Sequence, residues 1–268
     1  MKRILAILGV ILLLLMYAST MIFALSDNPQ ALNWAKASVL CTIAVPVMLY
    51  AFILVGRILR PEKDSEETDP KIDTVILDIG NVLASYDWQG LLHKLQYNGE
   101  MFQILAQAIF LSPDWAEADR GIRTEEEILQ SFIRNAPEYE NEIRNVFRHI
   151  GDAMHTFPYT AEWIQTLRSM NLKIYYLSNY TRPMHERTKD ELSFLSQLDG
   201  GYMSYEIHSL KPEPEIYQKL IRDFHLTPQR CIFIDDCMDN VAGARAVGMK
   251  AIHFTGLQET MDKLNVLI

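Results

Sequence analysis

The chain has 268 residues, of which 49% are hydrophobic, and a formal net charge of −9. This length predicts one or two domains, and the apolar content is sufficient for a packed core together with membrane segments. The negative charge argues against a nucleic-acid partner, because binding a phosphate backbone requires a basic face. The three cysteines fit neither a zinc pattern nor a disulfide framework, which indicates a reducing compartment.

Two long apolar segments, residues 4–25 and 39–59, open the chain. Each is about 20 residues long, the length at which a helix crosses the hydrocarbon core of a bilayer. We therefore predict a two-helix transmembrane hairpin over residues 1–60. A signal peptide beginning with Lys2 and Arg3 is the alternative for the first segment. Two buried core helices are a further alternative, although neither segment has a polar face.

The flanking basic residues predict the orientation of this hairpin. Lysine and arginine side chains precede the first segment and follow the second, whereas the connecting residues 26–38 carry only Lys36. Since basic residues remain on the cytoplasmic side of a membrane, both chain ends are expected there. The sequence thus predicts a two-span protein of the cell membrane whose remaining domain is cytoplasmic.

A polar, proline-bounded linker at residues 61–70 precedes a domain predicted over residues 71–268. Apolar runs alternate there with helical patterns, which predicts βαβ units and a parallel sheet. An insert at about residues 89–157 has helical periodicity and forms a predicted cap. Thr124 and Glu127 match a capping box at the start of one of its helices. Strands are expected at about residues 73–78, 173–178, 202–206, 231–235 and 250–254.

Acidic side chains end two of these strands. Asp78 follows the apolar run that starts at Thr74, and Asp235 and Asp236 follow the run that starts at Cys231. Ligand sites of open parallel sheets lie beyond the carboxyl ends of the strands. Carboxylates that meet there repel each other unless a cation lies between them. The pattern therefore predicts a cation site at this edge of the sheet.

Two further polar motifs belong to the same domain. Ser178 and Asn179 end the second predicted strand, and Lys211-Pro212 follows a short apolar run. An acid, a hydroxyl, a lysine and an acid pair are the groups that phosphoryl transfer requires. Each motif alone also has a structural explanation, because Asp78 could cap a turn, acid pairs cap helices, and Ser-Asn and Lys-Pro pairs are common in loops.

In this order and spacing, the four motifs resemble those of the haloacid dehalogenase (HAD) superfamily of aspartate-nucleophile phosphohydrolases. The resemblance covers about residues 71–256. It implies an α/β fold: a Rossmann-like three-layer core with a parallel sheet and an inserted helical cap, here preceded by two transmembrane helices. The Asp-x-Gly-Asn-Val form of the first motif is typical of a branch that includes sugar-phosphate phosphatases such as glucose-1-phosphate phosphatase.

The resemblance also implies roles for individual residues. Asp78 is the expected nucleophile, which forms an aspartyl phosphate that water then hydrolyses. Mg²⁺ is the expected cofactor, because it prefers hard oxygen ligands and a phosphate. Its expected ligands are Asp78, the Gly80 carbonyl, Asp236 and, directly or through water, Asp235. Lys211 is expected to neutralise charge, Asn240 to orient Lys211 or the acid pair, and Asn81, Ser178 and Asn179 to bind phosphate.

Gly80 departs from the family pattern. Most phosphatases of the family carry a second aspartate at this position, which protonates the leaving oxygen. Without a replacement, the rate is expected to depend steeply on the basicity of the leaving group. Asp87 is one candidate replacement. The dehalogenase branch usually has an aromatic residue here, so Gly80 disfavours halide chemistry. Candidate specificity residues in the cap are Trp115, Arg120 and Tyr139, for which a role in packing is the equal alternative.

The sequence therefore predicts a membrane-anchored, Mg²⁺-dependent phosphatase for a small phosphorylated metabolite, with a sugar phosphate as one candidate. Gly80 favours an alternative, a weakly active or non-catalytic HAD-like sensor of a phosphorylated ligand. Trapping of a phosphoryl analogue on Asp78 separates these two functions.

Overall fold

The structure is a computed structural model that describes residues 70–268 and, before them, four single helical positions, 18, 21, 22 and 48. The chain divides into two units, Met1–Thr68 and Asp69–Ile268. Apart from those four positions, both predicted membrane segments and residues 61–69 of the predicted linker lie outside the described residues. Within the described part, no helix is both long enough and apolar enough to span a bilayer.

The unit Asp69–Ile268 is built on a five-stranded parallel sheet with the order β5-β4-β1-β6-β7. Two further short strands, β2 and β3, pair antiparallel beside it. The described strands are β1 (Thr74–Leu77), β2 (Ala84–Tyr86), β3 (Met154–Thr156), β4 (Lys173–Ser178), β5 (Gly200–Met203), β6 (Cys231–Asp235) and β7 (Lys250–His253).

Helices connect these strands and form the cap. In residues 70–268, the α-helices are α1 (Trp88–Lys94), α2 (Gly99–Leu105), α3 (Pro113–Arg120), α4 (Glu125–Asn135), α5 (Glu140–Arg148), α6 (Thr160–Ser169), α7 (Arg182–Arg187), α8 (Ser204–Ile207), α9 (Pro214–Asp223), α10 (Met238–Ala246) and α11 (Leu257–Leu267). A π-helical segment, Ala106–Phe110, follows α2, and short 3₁₀ segments lie at Pro137–Tyr139, Ile150–Ala153, Ser193–Gln197 and Pro228–Arg230.

Strand β1 lies at the centre of the sheet, and all four of its residues are buried. Side chains alternate between the two faces of a strand, so Val75 and Leu77 pack in one apolar cluster and Ile76 packs in the other. The first cluster includes residues of α6 and α11, and the second includes residues of α9 and α10. These two helical layers on either side of the sheet confirm the predicted α/β core.

The register of the sheet aligns the ends of three neighbouring strands. Leu77 is level with Tyr176 of β4 and with Ile234 of β6. The next residue, Asp78, donates its backbone N–H to the carbonyl of Ile234 at 2.9 Å. The ends of β4, β1 and β6 therefore lie side by side, as predicted.

The cap consists of α1 to α5 and lies between β2 and β3 in the chain. Its predicted capping box is present, because Thr124 Oγ1 accepts from the Glu127 N–H at 3.3 Å and Glu127 Oε2 accepts from the Thr124 N–H at 2.8 Å. The prediction of an entirely helical insert was wrong at its end, where β3 occupies Met154–Thr156. The strand predicted at 202–206 lies instead at Gly200–Met203, because α8 begins at Ser204.

Candidate active site

Asp78 lies immediately beyond β1 and is 7% exposed. Its Oδ1 accepts the Ile79 N–H at 2.7 Å and is 2.8 Å from Lys211 Nζ. Burial, together with the nearby charge of Asp235, raises the pKa of Asp78 to about 7, although Lys211 and the Ser178 hydroxyl oppose the rise. Its carboxylate therefore depends on nearby positive charge.

Lys211 supplies that charge from the loop before α9. Its Nζ is 2.8 Å from Asp78 Oδ1 and 2.7 Å from Asp235 Oδ2, and its side chain is only 1% exposed. Burial alone would lower the pKa of Lys211, but these two carboxylates outweigh burial and raise it. Asn179 fixes the backbone of Lys211, because its Oδ1 accepts the Lys211 N–H at 2.8 Å and its Nδ2 donates to the Lys211 carbonyl at 3.0 Å.

The two acids of the last motif have different surroundings. Asp235 is fully buried, and its oxygens accept bonds from Lys211 Nζ, the Cys237 N–H and Asn240 Nδ2. Asp236 is partly exposed, and its Oδ2 accepts from Asn81 Nδ2 at 3.0 Å. Asp235 is thus committed to holding Lys211, whereas Asp236 retains an open side.

The donor set fits a hard divalent cation. Carboxylate oxygens of Asp78, Asp235 and Asp236 lie within 4.8 Å of one another. Three carboxylates this close repel each other, and Lys211 neutralises only part of their charge. Oxygen ligands in an incomplete cage are the environment that Mg²⁺ prefers. Asp78 and Asp236 line the same cavity as Gly80, and they are better placed to bind the cation than Asp235, whose oxygens already accept three hydrogen bonds.

These groups open into a cavity of about 200 Å³. Its polar end contains every predicted site residue except Asp235, which lies behind Lys211. Its other wall belongs to the cap and adjacent segments and is mainly aromatic or sulfur-containing. The residues of that wall are Tyr86, Trp115, Asp119, Met154, Tyr180 and Met184.

The structure corrects or limits the other cap predictions. Asp87 is exposed and lies outside the cavity, where it caps α1 by accepting the Gly90 N–H at 2.7 Å, so it is not a replacement acid. Arg120 pairs with Glu213 at 2.6 Å and, like Tyr139, does not line the cavity. Trp115 does line it. Asp119 was not predicted from the sequence, because an aspartate beside Arg120 near the end of a short polar helix resembles an ordinary surface residue.

Similarity to known proteins agrees with this geometry. The sequence profile of the haloacid dehalogenase-like hydrolases matches residues 72–248. Flavin mononucleotide hydrolase 1 of Arabidopsis thaliana is 28% identical over 57% of this chain and 61% of its own length. Drimenol cyclase drtB of Aspergillus calidoustus is 23% identical over 72% of this chain but only 36% of its own length. Sesquiterpene phosphatase astK of Aspergillus oryzae is 22% identical over 72% of this chain and 95% of its own length.

Solved structures show the same fold. HAD family enzyme bt-2542 of Bacteroides thetaiotaomicron superposes with a TM-score of 0.58 at 19% identity, over 72% of this chain and 98% of that one. Its complex with magnesium and inorganic phosphate superposes with a TM-score of 0.55 at 20% identity, over 68% of this chain and 93% of that one.

The profile match spans all four motifs, and the residues of these motifs meet at one edge of the sheet. The chain therefore belongs to the haloacid dehalogenase-like hydrolases and is an enzyme with phosphatases among its relatives.

Proposed function

We propose that this enzyme is a membrane-anchored, Mg²⁺-dependent phosphatase that hydrolyses a phosphate monoester of a small metabolite through an aspartyl phosphate. The observation that carries this proposal is the buried contact of Lys211 with both Asp78 and Asp235 beside the open Asp236. This cluster presents a carboxylate nucleophile next to fixed positive charge, in a cavity large enough for a small phosphate ester.

In the proposed reaction, each group has a task. Asp78 attacks phosphorus in line with the leaving oxygen, and the P–O bond to that oxygen breaks. Lys211 reduces the repulsion between the anionic nucleophile and the phosphate. The Ser178 hydroxyl donates a hydrogen bond to the Asp78 carboxylate. Bound by Asp78, Asp236 and the Gly80 carbonyl, Mg²⁺ would neutralise phosphate charge and orient the phosphoryl group.

The cavity wall supports a substrate with an apolar or aromatic alcohol portion. Tyr86 and Trp115 stack with ring centroids 6.1 Å apart, and Met154 and Met184 complete the surface. Among the described cavity residues, Lys211 is the only cation, so the wall offers no second basic group for a second anionic group. Two relatives, a sesquiterpene phosphatase and a drimenol cyclase, are consistent with a terpenoid phosphate, which we propose ahead of a sugar phosphate.

Anchoring in the membrane rests on residues 4–25 and 39–59, which are apolar over a bilayer-spanning length. The charge distribution around them supports a cytoplasmic catalytic domain. Such an anchor would hold the cavity close to amphiphilic substrates that partition into the bilayer.

The test is turnover by the purified full-length chain in detergent, with Mg²⁺ or with EDTA. The panel includes p-nitrophenyl, farnesyl and glucose phosphates. We expect Mg²⁺-dependent release of phosphate, with a higher kcat/KM for farnesyl than for glucose phosphate. Wild-type protein that releases no phosphate from any of these esters contradicts the proposed function. A preference for glucose phosphate contradicts only the substrate class.

Asp78→Asn should abolish turnover, because the amide is not a nucleophile, and should prevent trapping of BeF₃⁻. Asp73→Asn is the matched control. Asp73 precedes the same strand at its opposite end and pairs with Arg230 at 2.6 Å on the surface, so its loss should leave kcat unchanged. Normal turnover by the Asp78 variant would exclude the covalent mechanism.

A further inference from the structure

The proposed function requires a proton donor that the first motif lacks. When the leaving oxygen departs from phosphorus it carries negative charge, and an alkoxide is a poor leaving group unless it is protonated. Gly80 has no side chain to donate that proton. A Cβ built on Gly80 would meet no other atom within 4 Å. The space beside Asp78 is therefore open, and the donor must come from another wall of the cavity.

Asp119 is a buried carboxyl group in that cavity. It lies one residue before the end of α3, lines the same space as Asp78 and Lys211, and is 8% exposed. No hydrogen bond or ion pair described within residues 70–268 engages its carboxyl group, whose oxygens are not among the fully buried atoms that lack a partner. A carboxyl group in a largely buried residue without a hydrogen-bond partner is costly to retain for stability alone, which points to a functional reason for its position.

The helix that carries Asp119 is fixed to the sheet domain. Ser204 Oγ donates to the Asp119 carbonyl at 2.7 Å and accepts the Tyr180 N–H at 2.9 Å. Gly121 ends the helix at a φ of 69°, and a Cβ there would lie 2.4 Å from Tyr205 Cβ. The close approach of α3 to α8 therefore sets the position of Asp119 over the cavity.

The surroundings of Asp119 favour its protonated form. Burial, together with the nearby charge of Asp78, raises the pKa of Asp119 to about 8, although Lys211 opposes the rise. The phenols of Tyr86 and Tyr180 interact electrostatically with Asp119, and burial raises the pKa of both phenols. A carboxyl group that stays protonated at neutral pH can donate a proton, as a general acid must.

We propose that Asp119 is the general acid and base of this enzyme and replaces the aspartate that Gly80 lacks. As Asp78 forms its bond to phosphorus, the Asp119 proton passes to the leaving oxygen and an alcohol departs. The Asp119 carboxylate then accepts a proton from the water that attacks the aspartyl phosphate. Inorganic phosphate leaves, and both Asp78 and the acid form of Asp119 are restored.

The test measures how kcat/KM depends on the leaving group, using full-length enzyme with Mg²⁺ and a series of aryl and alkyl phosphates. Wild-type enzyme should show a shallow dependence. Asp119→Asn should lose on the order of 10²–10⁴-fold on alkyl esters, but less than about tenfold on p-nitrophenyl phosphate, whose leaving group needs no proton. Retained turnover of p-nitrophenyl phosphate also shows that the variant is folded. Glu117→Gln, a change on the exposed side of the same helix, should match wild type.

A double variant provides the decisive comparison. Because the space beside Gly80 is open, Gly80→Asp in the Asp119→Asn background should restore alkyl-ester turnover and flatten the dependence again. The proposal is overturned if Asp119→Asn lowers turnover of all esters equally, or if it leaves alkyl esters unaffected. An equal loss on every ester that Gly80→Asp does not rescue would indicate a structural role. Wild-type enzyme that hydrolyses no ester overturns the proposed function as well. If wild type is active but Asp119→Asn shows the same dependence of kcat/KM on the leaving group, only the role of Asp119 is overturned.

Discussion

At the scale of single residues, the site is a problem of charge balance. One lysine side chain lies between two buried carboxylates, with Lys211 Nζ within 2.8 Å of both Asp78 and Asp235. Removing one member of a buried ion cluster leaves uncompensated charge, which costs more than the net contribution of the intact cluster. The arrangement therefore commits the fold to keeping a cation at this position.

Lys211→Met should consequently destabilise the protein by roughly 3–5 kcal/mol and abolish turnover. Added Mg²⁺ should restore more of the melting temperature in this variant than in wild type, since it would relieve the repulsion between Asp78 and Asp235. Thermal melts with EDTA and with Mg²⁺ measure both effects. Lys219→Met, which removes a surface pair with Asp223, is the control and should change stability little. An unchanged melting temperature for the Lys211 variant would show that the cluster is not coupled to folding.

Asp119 should make stability depend on pH. Its pKa is about 8 in the folded state and about 3.9 in an unfolded chain. Between these values the folded state binds the extra proton, so the stability from this group is present below about pH 4 and is lost as pH rises toward 8. Asp119→Asn should therefore gain in melting temperature over wild type as pH is raised from 5 to 8. Parallel curves for the two proteins would mean that Asp119 is not buried as an acid.

The convergence of the motif residues at one edge of the sheet could be predicted from the sequence, because each motif follows an apolar run and the ends of adjacent parallel strands lie together. It could not predict Asp119. An aspartate before Arg120 and Gly121 in a short helix looks like a solvent-facing residue, and its burial arises only when α3 packs on α8. Asp87 is closer in sequence to the nucleophile Asp78 than Asp119 is, but its side chain caps α1.

At the scale of secondary-structure elements, one ion pair joins the cap to the loop that carries Lys211. Both terminal nitrogens of Arg120 donate hydrogen bonds to the Glu213 carboxylate, at 3.0 and 2.6 Å. The same carboxylate accepts the Leu210 N–H at 3.1 Å. Through these bonds Arg120 and its neighbour Asp119 are tied to the backbone beside Lys211. Because the Arg120–Glu213 pair is partly exposed, it contributes little to the stability of the fold and more to the position of the cap.

Arg120→Ala should therefore lower kcat/KM on the order of tenfold by letting the cap shift over the cavity, while lowering the melting temperature only slightly. Arg123→Ala is the matched control, because Arg123 pairs with Asp114 within the cap at 3.0 Å. Steady-state kinetics and limited proteolysis of the cap report the two effects. Equal kinetics for the two variants would show that the Arg120–Glu213 pair does not position the cap.

Long, strongly patterned elements were predicted closely, and short ones were not. Strands β4 and β6 match their predicted limits, since their apolar runs are continuous. Strands β2 and β3 have only three residues each, too few to show a period. Strand β5 begins at Gly200-Gly201, which has no side-chain pattern, although Gly201 is needed there because a Cβ would lie 2.3 Å from the Tyr176 carbonyl oxygen.

At the scale of the whole molecule, the proposed anchor and the proposed chemistry must be compatible with one orientation in the membrane. The proposed reaction in the cavity of residues 70–268 requires Mg²⁺, and free thiols are described at Cys231 and Cys237. Both features suit a reducing, Mg²⁺-rich compartment. A two-span hairpin returns the chain to the side on which it started, and the basic residues flanking the hairpin favour the cytoplasm for that side.

A reporter fused after Ile268 should therefore be active only as an intracellular protein, whereas one inserted within residues 26–38 should be active only outside. The reason is energetic, because moving the basic flanks across the membrane is opposed during insertion, while the connecting residues carry a single lysine. Paired reporters that function on either side of the membrane measure both positions. External activity of the fusion after Ile268 would invert the proposed topology and would place the catalytic unit among extracellular substrates.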